Sequence, residues 1–247
     1  MKSFLVLAVS IAFVLGLSTI VLGLDSLPNG LEDKGPLTKI VFIHYKQEPS
    51  HKPQHTPGNI ASPSCYTILA KGAKWKTIEN AQVNPTNSNL SASFLTSNTL
   101  AAREAWDAQT SQELFGNTIT VNNTADVDSS SPDGFNEYVF SSYSDPNVIA
   151  VTTVWGYFFG PPQTREIVEY DVLFNTAYVW GDAAANGSVM DYLNIATHET
   201  GHGAGLGDVY DTACSEVTMY GYSAYGETKK RTLEQPDING LRKLYGV

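Results

Sequence analysis

Histidine is scarce in this chain, five in 247 residues, and cysteine scarcer still, with two. The first shortage limits any metal site. His44, His51 and His55 fall in a proline-containing N-terminal stretch, which leaves His198 and His202 as the remaining imidazoles, so a three-histidine site in the body of the chain is excluded. The second allows one disulfide at most, Cys65 to Cys214, a usage that fits an exported protein. Basic residues are also few: from Pro63 onward there are 10 against 21 acidic ones, and the whole chain carries a net charge of −10. So acidic a domain excludes nucleic acid as a partner. Internal repeats are absent, and past the N-terminus no apolar run is long enough to span a bilayer.

The N-terminus is organised as an export signal. Lys2 precedes an apolar run over residues 4–22, Val21 and Gly23 are small enough for a cleavage site, and residues 1–23 are read as a signal peptide that makes the protein secreted. Left uncut, the same run over residues 4–22 would anchor the protein to the outer face of the membrane. Residues 24–62 are rich in loop-forming types with one strand-like run, KIVFIHYK at 39–46, and are read as a propeptide or linker. Their histidines are expected to be exposed or loosely packed, since the spacing of His44, His51 and His55 fits no helical pair. Residues 63–247 are the length of one catalytic domain with one core, expected as a monomer.

The chemistry concentrates in HETGHGAGLGD, residues 198–208. Residues four apart share a helix face, so His198 and His202 can offer their imidazoles to one ion. Glu199 sits beside them, placed to take a proton from a water that zinc has already acidified to a pKa of about 7. Gly205 can take the positive φ that stops a helix and turns the chain, letting a residue just beyond return to the metal. Asp208 occupies that place, and zinc accepts carboxylate oxygen at about 2.0 to 2.2 Å. Asp211 is a rival ligand outside this spacing, and Glu216 would complete the site in a scheme with a distant glutamate.

Around this run, strands are expected over 77–85, 118–123, 137–143, 148–159 and 165–176, where β-branched and aromatic residues dominate. Helices are expected over 93–111, 191–206 and 234–246. Trp106 is a core anchor. The loop 125–134, ADVDSSSPDG, is acidic, so structural calcium is a further candidate cofactor there, with a plain solvated turn as the alternative. Asp171 faces the same choice between calcium ligand and core hydrogen-bond partner. Lys229, Lys230 and Arg231 read as a solvated turn, and Asn89, Asn122 and Asn186 as glycosylation acceptors compatible with export.

The pattern HExxHxxGxxD resembles the metzincin metallopeptidases, whose last position is usually His and in some branches, such as the snapalysin type, Asp. VTMYG at 217–221 is similar to their Met-turn, and Asp237, Ile238, Leu241 and residues 244–246 are similar to the end of a matrixin domain. The resemblance implies an α+β, zincin-like domain: a twisted, mostly parallel five-stranded sheet with an antiparallel edge strand, three main helices and a Met-turn. It implies that Met219 lies under the ligands as a hydrophobic floor, and that residues 148–155 form the edge strand along which a peptide or protein substrate pairs by β-augmentation. A matrixin-like latch through the Cys65 thiolate is the alternative to the disulfide, although Pro63, Ser64 and Tyr66 do not match the latch sequence. Gly221 stands where astacin-type enzymes carry a tyrosine ligand, while Tyr220 and Tyr222 are left between pocket lining and packing.

Together these residues imply a secreted zinc endopeptidase with His198, His202 and Asp208 on the metal and Glu199 as general base. The alternative is a secreted module that keeps zinc for structure, or an inactive homologue. Glu199 argues against it, since a purely structural site gains nothing from an acid beside two ligands.

Overall fold

β-branched and aromatic residues crowd the middle of the chain, and the strands form there. The computed structural model of the protein describes residues 34–47 and 64–247. The signal region 1–23, most of the 24–62 stretch, and His51 and His55 within it lie outside the described residues. Seven strands make one sheet: β1 (Leu37–Lys46), β2 (Glu79–Val83), β3 (Phe115–Val121), β4 (Asn136–Ser141), β5 (Val148–Tyr157), β6 (Glu166–Asn175) and β7 (Tyr222–Ser223), in the order β7-β1-β5-β6-β4-β2-β3. The pairs within β6-β4-β2-β3 are parallel, and β5 runs antiparallel to β6. These five are the expected sheet, extended by β1 and β7.

That extension corrects one expectation. The 148–155 strand is antiparallel, as read, but it is not an edge: β1 pairs with it along its whole length, Leu37 opposite Tyr157 through Tyr45 opposite Val148. Every residue from Val148 to Gly156 is consequently buried, and a strand buried on both faces shows a continuous apolar run with no alternation.

Among the described residues there are three α-helices, of which the first two pack on the sheet and on each other. The first, α1 (Ala92–Asp107), starts at Ser91, whose hydroxyl accepts from the Phe94 amide at 3.2 Å. Its buried stripe is Leu95, Thr99, Ala102, Arg103 and Trp106. Trp106 is the expected anchor, fully buried with its indole N–H donating to Thr197 O at 2.9 Å. The central helix, α2 (Tyr192–Gly203), is capped by Asp191, which accepts from the Asn194 amide at 2.8 Å. It sits within the core, and Tyr138 Oη on β4 joins Thr200 Oγ1 on α2 at 2.8 Å, fixing the helix over the sheet. The last helix, α3 (Gln235–Tyr245), opens with Pro236 in its first turn and a capping box between Glu234 and Asp237.

Cys65 and Cys214 are bonded, so the beginning of the domain is tied to the loop ahead of Met219 and no thiol is free to act as a latch. Among the described residues no helix is long and apolar enough to cross a membrane.

Candidate active site

Helix α2 carries His198, Glu199 and His202 and stops where the sequence says it must. Gly205 adopts φ 97°, and a Cβ there would lie 2.8 Å from Ala73 O, so both the turn and the close approach require glycine. The chain then doubles back and brings Asp208 to the helix. Its Oδ1 lies 3.2 Å from His198 Nε2 and 3.6 Å from His202 Nε2. The imidazoles are held by their other nitrogens: His198 Nδ1 donates to Thr218 O at 2.7 Å and His202 Nδ1 to Leu206 O at 2.9 Å. Carbonyls only accept, so each Nδ1 bears the proton and each Nε2 turns a lone pair inward. His198 Nε2, His202 Nε2 and Asp208 Oδ1 are buried without any hydrogen-bond partner.

Three buried, partnerless donor atoms in one place cost several kcal/mol as polar groups alone, on the order of 1–3 kcal/mol each. A cation removes that cost, and two imidazoles with one carboxylate are the donor set of a three-ligand zinc site. The charges agree. Burial pushes His198 down to about 4, with the charge of Lys230 acting the same way, and burial also lowers His202. Both are therefore neutral, as ligands must be. Burial acts to raise Asp208, and the opposing bond from the Tyr210 hydroxyl favours the carboxylate, the form a metal ligand takes. The rivals are elsewhere. Asp211 caps a turn by accepting from the Ala213 amide, and the Glu216 side chain, 77% exposed, pairs with Lys229.

Beneath the helix, Met219 is fully buried. It packs so tightly on Gly201, between the two histidines, that a methyl group there would overlap Met219 Sδ and the Trp106 ring. Asp237 fixes the loop that carries it, accepting from the Thr218 amide at 2.9 Å and the Met219 amide at 3.1 Å.

Glu199 is fully buried, and both of its oxygens are engaged. Oε2 accepts from Thr152 Oγ1 on β5 at 2.6 Å, and Oε1 lies 2.9 Å from His44 Nδ1 on β1. Burial raises its pKa to about 8 against the opposing bond from Thr152, a value suited to a group that takes and returns a proton near neutrality.

His44 corrects a second expectation: it is no loose side chain but fully buried at the centre, its ring 3.9 Å from that of His198. Phe42, two residues earlier and so on the same face of the strand, stacks on His202 at 3.9 Å with the planes 6° apart. The third correction is Lys230. Far from a solvated turn, it is fully buried, its ammonium 3.1 Å from His44 Nε2, while Arg231 pairs with Asp182 and Asp191. Sequence reasoning missed Thr152, His44 and Lys230 because none lies within a motif. The one available signal was the shared strand face of Phe42 and His44. Tyr220 and Tyr222 line a cavity of about 640 Å³ together with Tyr45 and Tyr210, so they face a pocket as well as pack.

A second cluster occupies the sheet at the start of β4 and the middle of β6. Glu137 and Asp171 are opposite one another, and the acidic loop brings Asp128 and Asp133 over Glu169 so that their ligand atoms lie within 4.8 Å. Asp128 Oδ2, Glu137 Oε2, Glu169 Oε1 and Asp171 Oδ1 are all buried without partners. Of the two roles the sequence left open for Asp171, the structure displays the hydrogen-bond partner, its Oδ2 accepting from the Asp128 amide at 3.2 Å. Burial first, and neighbouring carboxylates second, push Asp171 up to about 9; burial is also the main cause that takes Glu169 to about 8 and Glu137 to about 7.

Comparison with known proteins gives a consistent result. The matrixin family model matches residues 96–246. The human protein matrilysin is 36% identical over 76 residues, covering 31% of this chain and 27% of that protein. Human neutrophil collagenase is 32% identical over 77 residues, 31% of this chain and 15% of its own length. Metalloendoproteinase 1 of Glycine max is 43% identical over 60 residues, 24% of this chain and 18% of its own. The matched stretch thus spans about a quarter or less of each relative.

Proposed function

Because the chain belongs to the matrixin family, whose model matches its residues 96–246, we propose that it is a secreted, monomeric zinc endopeptidase acting on peptide or protein substrates. The observation that carries the proposal is the trio of buried, partnerless donor atoms on His198, His202 and Asp208 with Glu199 alongside. These three residues would hold the zinc, which supplies Lewis acidity for activating water and for stabilising charge on the scissile carbonyl oxygen. Glu199 accepts the proton of the attacking water and returns it to the leaving amine. Thr152 orients its carboxyl group, the carbonyls of Thr218 and Leu206 hold the two rings, and Met219 closes the floor. The names of the matched proteins, a collagenase and a metalloendoproteinase among them, agree with this chemistry.

Residues 1–23 serve as the export signal in this reading, and the disulfide fits the same route. Residues 24–62 are a propeptide whose Leu37–Lys46 strand covers the site. The test is cleavage of a mixed peptide library by the zinc-loaded chain after limited proteolysis between Lys46 and Cys65 has freed the groove. Internal cuts that a chelator abolishes are expected; a folded, zinc-loaded, proteolysed chain that cuts nothing would overturn the proposal.

The acidic cluster we read as a structural calcium site, since hard carboxylate oxygens and no nitrogen or sulfur converge there. Carboxyls held above their unfolded values of about 4 keep protons in the folded state that the unfolded chain releases, so stability falls as pH rises. Here the fall runs from about pH 4 up through about 9, the raised value of Asp171. In the zinc-loaded chain dialysed free of calcium, the melting temperature should drop between pH 5.5 and 8.5. Millimolar calcium should flatten that slope and raise the melting temperature most at the alkaline end; a slope indifferent to calcium would remove the site.

A further inference from the structure

β1 lies in the groove as a substrate strand would have to. It is antiparallel to β5 and, at Tyr45 and Lys46, parallel to Tyr222 and Ser223 of β7. Its end is tied on both sides, with Lys46 N donating to Asn147 O and Gln47 N to Ser223 O, each at 2.8 Å. The backbone hydrogen-bonding edge of β5 is therefore spent on the chain itself, and no second strand can add to it. On the face turned toward α2, Phe42 covers His202 while His44 covers His198 and engages Glu199.

The pocket that receives His44 has a charged floor. Lys230 has three N–H groups, and three acceptors meet them: Tyr220 O, Tyr222 O at 2.9 Å, and His44 Nε2 at 3.1 Å. Since Nε2 accepts, Nδ1 carries the ring proton and donates to Glu199 Oε1. The imidazole thus accepts from a buried ammonium at one end and donates to a buried carboxyl at the other. Whatever displaces it leaves a buried N–H of Lys230 without a partner, at a cost in free energy, unless it brings an acceptor of its own. Aliphatic side chains and phenylalanine bring none, lysine adds a like charge, and glutamate sets a second carboxylate beside Glu199. Glutamine at position 44 reproduces both bonds of the lock, its carbonyl oxygen toward Lys230 and its amide N–H toward Glu199; a substrate side chain needs only the first, which leaves Glu199 free for water.

We infer that Lys230 makes this pocket a receptor for a neutral side chain with an acceptor end, glutamine or histidine in a substrate. The chain's own Leu37–Lys46 strand fills the groove as an internal stand-in for such a substrate, with His44 in the selected place. Lys230 is a specificity residue, and His44 is the lock. The inference rests on the peptidase reading for its substrate half and on strand geometry alone for its inhibitory half.

The test uses the zinc-loaded full chain as wild type, His44→Gln, His44→Leu and His44→Lys, reading amide exchange of residues 40–46 and cleavage of a mixed peptide library. His44→Gln should keep wild-type protection and latency. The leucine and lysine chains should exchange at least about tenfold faster, the factor that about 1.4 kcal/mol represents, and cut the library with glutamine or histidine enriched at one fixed position from the scissile bond. Adding Lys230→Met should reverse the order, leucine docking at least as well as glutamine; if that chain does not fold, the His44 series decides alone. Equal exchange and equal cleavage across the four chains would overturn the inference while leaving the peptidase intact. Released chains whose cuts show no enrichment would overturn its substrate half. Exchange that follows the series without any cleavage would uphold the inhibitory strand and sink the peptidase reading instead.

Discussion

In a chain released by His44→Leu, Glu199→Ala should lose peptide hydrolysis by about 10²- to 10⁴-fold, the contribution of a positioned proton-transfer group, while its zinc content stays at the parent level. The separation is the point. Glu199 is bonded to Thr152 and His44 and contributes none of the three partnerless atoms that converge beside it. On the proposed mechanism, removing it takes away the proton carrier and not a ligand. Glu199→Gln is the companion, matched in shape and still able to accept from Thr152, and should show the same loss. Peptide turnover and zinc analysis on the same preparations check both. Zinc lost along with activity would move Glu199 into the ligand set; activity kept in either variant would remove it from the mechanism.

Asp208→Ala should weaken zinc binding by more than about 100-fold, beyond the 10- to 100-fold that loss of an outer partner of a ligand costs. Two imidazoles remain in that variant, and two ligands do not make the closed three-residue set a zinc enzyme requires. The Tyr210 hydroxyl, which donates to Asp208 Oδ2 at 3.1 Å, loses its acceptor as well. Asp211→Ala and Glu216→Gln are the controls, because the first caps a turn and the second is exposed. Both should bind zinc as the parent does. Competition against a chromogenic chelator gives all three affinities, and an unchanged value for Asp208→Ala would send the third ligand elsewhere.

What was legible in the sequence is what local spacing controls. The i, i+4 histidines, the glycine that must take φ 97°, the return of Asp208 and the Met219 loop are written within about twenty residues of one another, and the structure assembles them as spaced. The helices announced themselves through the apolar stripe over 93–111, which the structure caps at Ser91, and through Asp191 and Pro236 at the other two starts. The five central strands followed from composition. The rest is long-range. His44 reaches Glu199 across 155 positions, and Lys230 reaches His44 across 186. A lysine between two charged neighbours in a polar turn carries no mark that it will be buried, because its three acceptors come from the Met-turn loop and from the other end of the chain. The misplacement of the sheet edge has the same origin. An apolar run such as 148–157 reads the same whether its outer neighbour is a substrate or the protein's own first strand.

The disulfide closes the loop from Cys65 to Cys214, and β1 stands upstream of Cys65, outside that loop. A single cut between Lys46 and Cys65 therefore leaves the strand held by no covalent bond at all. Before the cut, an occupant tethered through a short connection competes at an effective concentration on the order of millimolar. After it, the strand competes only at the concentration of the protein itself. Proteolysis followed by dilution would then switch the groove from self-occupied to open, and in a crowded compartment the same cut would leave it partly filled. Occupancy of this groove is a matter of local molarity as much as of sequence.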